Sequence, residues 1–178
     1  TFLHYAVKSV WQIVGFTHEP SANNHVLNTL WIKAVTACGF QQAGVLRLLS
    51  WLGFVLYARA FYLFLGKKHI AWFAPLYLLA ICNPYLLDFF SMARGYGFSL
   101  GALAMALAAF NRYAENQKSK TLQIGWIWLW LACLANFNLV YTLPPALFFV
   151  FYLKQKKIIP LQHLLISVAC VLPLLVYL

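Results

Sequence analysis

The residues best suited to chemistry are few: Glu19, His25, Asp88 and Arg94, with Asn24 and Tyr96 close beside two of them. An imidazole titrates near neutrality, which suits His25 to act as a general base. Glu19 could serve the same end or bind a metal, and Asp88 could bind a metal or an acceptor. A guanidinium grips phosphate oxygens two at a time, so Arg94 is a candidate anion contact. Gly95 and Gly97 flank Tyr96 and allow either close approach of backbone to a ligand or tight helix packing. Each residue also has a plainer reading. Glu19, beside Pro20, is then a solvated loop acid, and Asn23 and Asn24 shape a turn. His25 rests its ring at an interface, and Arg94 pairs with Asp88 or anchors in headgroups.

The elements that must position these residues are membrane elements. Hydrophobic residues make up 63% of the 178 and charged residues only 9%, and the mean hydropathy is +0.75. A soluble domain carries about 25% charged residues, so this chain lacks the charge to cover a surface in water. No linker divides it, and residues 1–178 read as one transmembrane domain. Thr1 stands where an initiator Met would, and the last apolar run reaches Leu178 without a polar flank, which leads us to expect part of a longer protein. The first sixteen residues lack the basic start and small-residue cleavage site of a signal peptide. Cys82, Cys133 and Cys170 lie in apolar runs and Cys38 near the end of an amphipathic segment, with no ligand spacing among them. They read as small apolar filler.

The fold class expected is all-α: a polytopic membrane helix bundle with interfacial helices on its outer face. Residues 45–178 divide into about six spanning segments. They cover 45–65, 69–87 (bent or ended near Pro84), about 96–110, two short spans within 122–153 parted by the Asn136–Asn138 turn, and a last one from about Leu161. Pro144 and Pro145 open the fifth. Lys67 and Lys68, then Arg112, Lys118 and Lys120, then Lys154, Lys156 and Lys157 all fall on one side, which the positive-inside rule makes cytoplasmic. The formal charge of +10 is thus largely topological and gives little reason to invoke nucleic acid. Glu19 and Asp88 fall on the opposite, outer side. Trp126, Trp128 and Trp130 read as an interfacial aromatic belt.

Residues 1–44 form the outer loop, with two amphipathic helices lying in the interface. Residues 2–16 put His4, Lys8 and Gln12 on one stripe. Residues 25–38 put Leu27, Leu30, Trp31, Ala34, Val35 and Cys38 on one face, with Asn28 and Lys33 away from it. The polar loop Thr17–His25 joins them, and Ser21 or Asn23 in it could cap the second helix.

With these parts in order, the chain resembles the polytopic GT-C glycosyltransferases, in particular the bacterial branch similar to protein O-mannosyltransferases and the lipid A aminoarabinose transferase. Two short motifs carry the likeness. Leu46-Arg47-Leu48-Leu49-Ser50 is loosely similar to the Arg-x-Pro/Ser opening of the family's second membrane helix. Pro84, Ser91, Arg94, Gly95, Tyr96 and Gly97 match the stretch that leads from the second outer loop into the next helix. The resemblance implies transfer of a sugar from a polyprenyl-phosphate donor to an acceptor on the outer, periplasmic face of a bacterial cytoplasmic membrane. It implies a first-loop acid acting as base or metal ligand, so a divalent metal stays open as cofactor. The family's Asp-Glu pair has no match here; the loop offers Glu19, Asn24 and His25 instead. Asp88 lies where some relatives place a second acid. The roles implied are base or catalytic acid for Glu19, His25 and Asp88, and substrate contacts for Asn24, Arg94 and Tyr96. His4 and Lys8 are further candidates to hold the phosphate.

Two other classes fit the same residues. A transporter or flippase for a lipid or small solute would also use broken helices at the Asn136 turn and the proline pair, but its polar residues should meet near the bilayer midplane. A membrane assembly subunit would need no site at all.

Overall fold

The computed structural model describes residues 9–15, 25–65 and 70–177, without the side chains of 70–73 and 174–177. Among them there are helices and no strand. α1 is Val10–Val14, α2 Val26–Ala37, α3 Ala43–Leu65, α4 Ile70–Ile81, α5 Pro84–Ser91, α6 Gly95–Asn116 and α7 Ser119–Ala135. A 3-10 helix, Phe137–Thr142, leads into α8, Leu143–Gln155, and α9 is Leu161–Tyr177. Among the described residues two stretches are long and apolar enough to cross a membrane, Ala43–Leu65 and Phe137–Gln155, where about six spans were expected. The α4–α5 pair, bent by 49° at its break, makes a third if it counts as one span.

α6 lies at the centre, between α3 and α7. The buried residues of α3 are Leu46, Ser50, Gly53, Tyr57 and Ala60, a spacing of four and three that keeps one narrow face toward a neighbouring helix. α6 answers with Gly97, Gly101, Ala104 and Ala108. A Cβ on Gly53 would strike the carbonyl of Gly97, and one on Gly101 would strike the carbonyl of Gly53. Backbone therefore meets backbone along this seam, the close approach that small residues four apart permit. Ser50 lies beside Gly97, and Tyr57 and Ala60 beside Ala104 and Ala108, so the two helices run parallel. α7 returns antiparallel, pairing Ala135 and Ala132 with Phe98 and Ala102, and Leu122 with Tyr113. The outward side of α3, with Trp51, Leu52, Val55, Tyr62 and Leu63, stays apolar and exposed.

The α4–α5 break falls just before Pro84. Asn83 caps α5 there, its Oδ1 accepting from the backbone N–H groups of Tyr85 (3.0 Å) and Leu86 (3.4 Å). The Asn136 turn is also tighter than an open loop. Its Oδ1 accepts from the N–H of Asn138 at 3.3 Å, and the chain continues through the 3-10 helix into α8, whose first turn holds Pro144 and Pro145.

Trp126 does not lie on the surface, as a place in an interfacial belt would require, whereas Trp128 and Trp130 are half-buried. Trp126 is buried and donates from Nε1 to Ser167 of α9 at 3.0 Å, while Trp130 donates to the Cys170 carbonyl at 2.8 Å. Gly125 makes room for the Phe110 ring, which meets Trp126 edge-on. Trp126, Ile127, Trp130, Leu131, Leu134 and Cys170 line an apolar groove of about 270 Å³. α2 also differs from expectation. It buries Val26, Asn28, Thr29, Ile32 and Val35, so Asn28 is on its inner face while Ala34 and Cys38 are exposed.

Candidate functional site

The starts of α3 and α6 and the end of α7 come together at one end of the molecule, and α2 lies across them. The turn of residues 92–94 joins α5 to α6 at this end, and three successive carbonyls of it are held by side chains. Ser50 Oγ donates to the carbonyls of Met92 (2.6 Å) and Arg94 (3.1 Å). Asn28 Nδ2 donates to the carbonyl of Ala93 at 3.3 Å. A turn outside regular structure needs partners for its backbone groups, and here α3 and α2 supply them. Arg94 thus has a fixed backbone and an exposed side chain at the N-terminus of α6. Arg47, one turn before Ser50 on α3, is exposed at the same end.

His25 precedes α2 and makes no side-chain cap for it. Its ring turns instead to α7, where Nδ1 stands 2.8 Å from the carbonyl oxygen of Ala135. That carbonyl is in the last turn of α7, where helix carbonyls lack intrahelical partners and favour a donor such as histidine. A carbonyl can only accept, so Nδ1 carries the proton, and in the neutral ring Nε2 holds the free lone pair. The ring lies over Gly95, where a Cβ would stand 3.0 Å from Nδ1 and would collide with the Ala135 carbonyl. Only a glycine lets helix and ring meet this closely.

Tyr96 meets the imidazole edge-on with centroids 4.6 Å apart, and a row of rings continues through Phe89 (5.8 Å from Tyr96) to Tyr85. Burial holds the imidazole of His25 below its ordinary value of 6.5; the Arg94 guanidinium adds to this, and the Ala135 carbonyl pulls the other way. At neutral pH the ring is therefore an uncharged base beside a fixed positive charge.

Of the residues expected to form a site, His25, Arg94 and Tyr96 meet here. Asp88 is exposed on α5 next to Phe89, and its backbone carbonyl accepts from Ser91 at 2.8 Å. Glu19 and Asn24 lie outside the described residues, as do His4, Lys8, Ser21 and Asn23. Among the described residues, no three of His, Cys, Asp and Glu gather where they could hold a metal ion. Sequence reasoning missed Asn28 and Ala135 as the partners that set the turn and the imidazole. It also gave Ser50 no role beyond a motif match, although a lone serine amid Leu48, Leu49, Trp51 and Leu52 is itself a signal. Among the described residues, Asn28 Oδ1 and Trp31 Nε1 are buried without a partner. Compared with protein-family models, curated proteins and solved structures, the chain matches none.

Proposed function

We propose that the protein is a polytopic membrane glycosyltransferase that moves a sugar from a polyprenyl-phosphate donor to an acceptor hydroxyl on the outer face. The observation that carries this reading is the meeting of an uncharged imidazole, a fixed exposed arginine and an aromatic ring at one end of long apolar helices. His25 Nε2 takes the acceptor's hydroxyl proton, and the hydroxyl oxygen attacks the anomeric carbon. The bond from that carbon to the donor phosphate oxygen breaks, and the phosphate leaves with the electron pair, held by Arg94. Attack from the side opposite the phosphate inverts the anomeric carbon. Tyr96 walls the pocket. The apolar groove along α7 ends at Leu134, one residue short of Ala135, and offers a place for the carrier's chain.

Charge supports the orientation. Tyr113, Leu122, Leu153 and Ile159 share one core cluster, which gathers Arg112, Lys118, Lys120, Lys154, Lys156 and Lys157 at the end opposite His25. In a membrane that basic end faces the cytoplasm, and the site faces the periplasm of a bacterial cell. The transporter reading draws on the 49° break before Pro84. It is the weaker of the two, because the candidate polar groups lie at the helix ends and not midway along them.

The test is transfer of labelled sugar from polyprenyl-phosphate donors in membranes carrying the full-length protein. His25→Gln and Arg94→Gln, at equal expression, should each abolish it. Well-folded wild-type protein that transfers from no donor would sink the reading and leave the transporter ahead.

A further inference from the structure

We propose that His25 and Arg94 act as one coupled unit, in which an oxyanion held by Arg94 makes the imidazole a stronger base. This rests on the reading of the site given above. The geometry is specific. The His25 ring lies over Gly95 and against the edge of Tyr96, so the residue chemically bonded to Arg94 forms the floor beneath it. Ser50 Oγ stands 2.6 Å from the Met92 carbonyl and 3.1 Å from the Arg94 carbonyl, a shared bond that restrains the arginine's backbone. Nδ1 is committed to Ala135, which fixes the ring's plane and leaves Nε2 as the atom that titrates.

In the empty site the guanidinium disfavours a second positive charge on the ring, and partial burial does the same. A phosphate on Arg94 cancels that positive charge and brings negative charge of its own close to the imidazole. Proton uptake at Nε2 then becomes easier, and a base works best when its proton affinity approaches the working pH. The imidazole, uncharged and weakly basic in the empty site, thus becomes a stronger base once the phosphate-bearing donor is seated. Among the described residues, the other titratable groups toward this end are Tyr96 on α6, Tyr85 and Asp88 on α5, Arg47 on α3, Lys33 on α2 and Tyr141 after α7. Of these and Arg94, only Arg94 acts on His25 through its charge.

The experiment is a pH titration of the imidazole resonances in histidine-labelled protein in detergent, with His25 assigned by its loss in His25→Gln. Inorganic phosphate is the probe. Alone, His25 should titrate below 6.5; phosphate should raise it by about one pH unit, the scale of a charge a few ångströms away. Arg94→Gln should raise it without phosphate and remove the phosphate response, while Arg94→Lys keeps both behaviours. An Arg94→Gln titration identical to wild type, or a wild-type titration indifferent to tens of millimolar phosphate, overturns the proposal. Absent sugar transfer with this coupling intact would count against the transferase reading alone.

Discussion

His25 and His163 mark the two ends of the molecule, one half-buried against the carbonyl of Ala135 and the other buried against the hydroxyl of Tyr113 at 2.8 Å. Both rings have a defined partner at Nδ1, so a hydrogen bond does not distinguish them. Their surroundings do. The His163 backbone carbonyl takes Ser167 Oγ at 2.9 Å, and Ser167 in turn takes Trp126 Nε1, so its neighbourhood is closed by α6, α7 and α9 together. No charged side chain enters that chain of bonds. His25 instead stands beside a guanidinium exposed to the outside. A histidine becomes chemically interesting when it is held on one side and open to a charge on the other; when it is held all round, it is a fastener.

The largest effect expected from this contrast is on transfer. His25→Gln should lower the rate by at least about 100-fold, the usual worth of a general base, with little change in the melting temperature. His163→Gln should leave the rate per folded molecule near wild type, and equal losses in both would erase the distinction. Next in size is Gly101→Ala, which drives a Cβ into the backbone of Gly53 on the seam both ends share. It should destabilise by about 1–3 kcal/mol, read as a lower unfolding midpoint in detergent; an unchanged midpoint would mean α3 and α6 do not meet as described. His163→Leu leaves the buried Tyr113 hydroxyl unpaired and should cost about 1–3 kcal/mol, whereas Trp126→Phe removes one donor to Ser167 and should cost about 1 kcal/mol.

The smallest effect is on pH dependence. His25 is held below 6.5, so between its folded value and 6.5 the unfolded chain binds a proton that the folded protein does not. Stability should therefore fall as the pH drops below about 6.5, level off below the folded value, and lose this slope in His25→Gln. A slope that survives in His25→Gln would show that His25 is not its source.

Much of this frame can be read from the residues in order, because long apolar runs and the breaks at Pro84 and Asn136 are local signals. The helix starts near 45, 70, 95 and 161 follow the expected segments, but α6 runs on to Asn116, six residues past the expected end, and α5 to Ser91. Which face of a helix turns inward is a different matter. α2 offers a stripe of Leu27, Leu30 and Trp31 that looks inward on a wheel, yet it buries Asn28 because the carbonyl of Ala93 needs a donor. That need arises from a turn more than sixty residues away, and spacing within α2 holds no trace of it. Trp126 misleads for a similar reason. Aromatic residues at alternate positions suit an interface, but Gly125 and Ser167 open a place for Trp126 inside. At the candidate site, Arg94 and Tyr96 stand out as a motif, whereas the partner that orients His25 is a backbone carbonyl, which any residue could have provided.

The parallel seam between α3 and α6 also has a consequence in time. Gly53 leaves the ribosome more than forty residues before Gly101, and at about 5–20 residues per second α3 waits several seconds before its partner exists. During that wait its bare backbone at Gly53 and its hydroxyl at Ser50 have no cover from α6. α3 qualifies as a membrane span by itself, whereas α6 is long enough but falls short in apolar character. The helix made first can therefore stand alone in the bilayer, and the helix made later arrives at a surface already prepared for it.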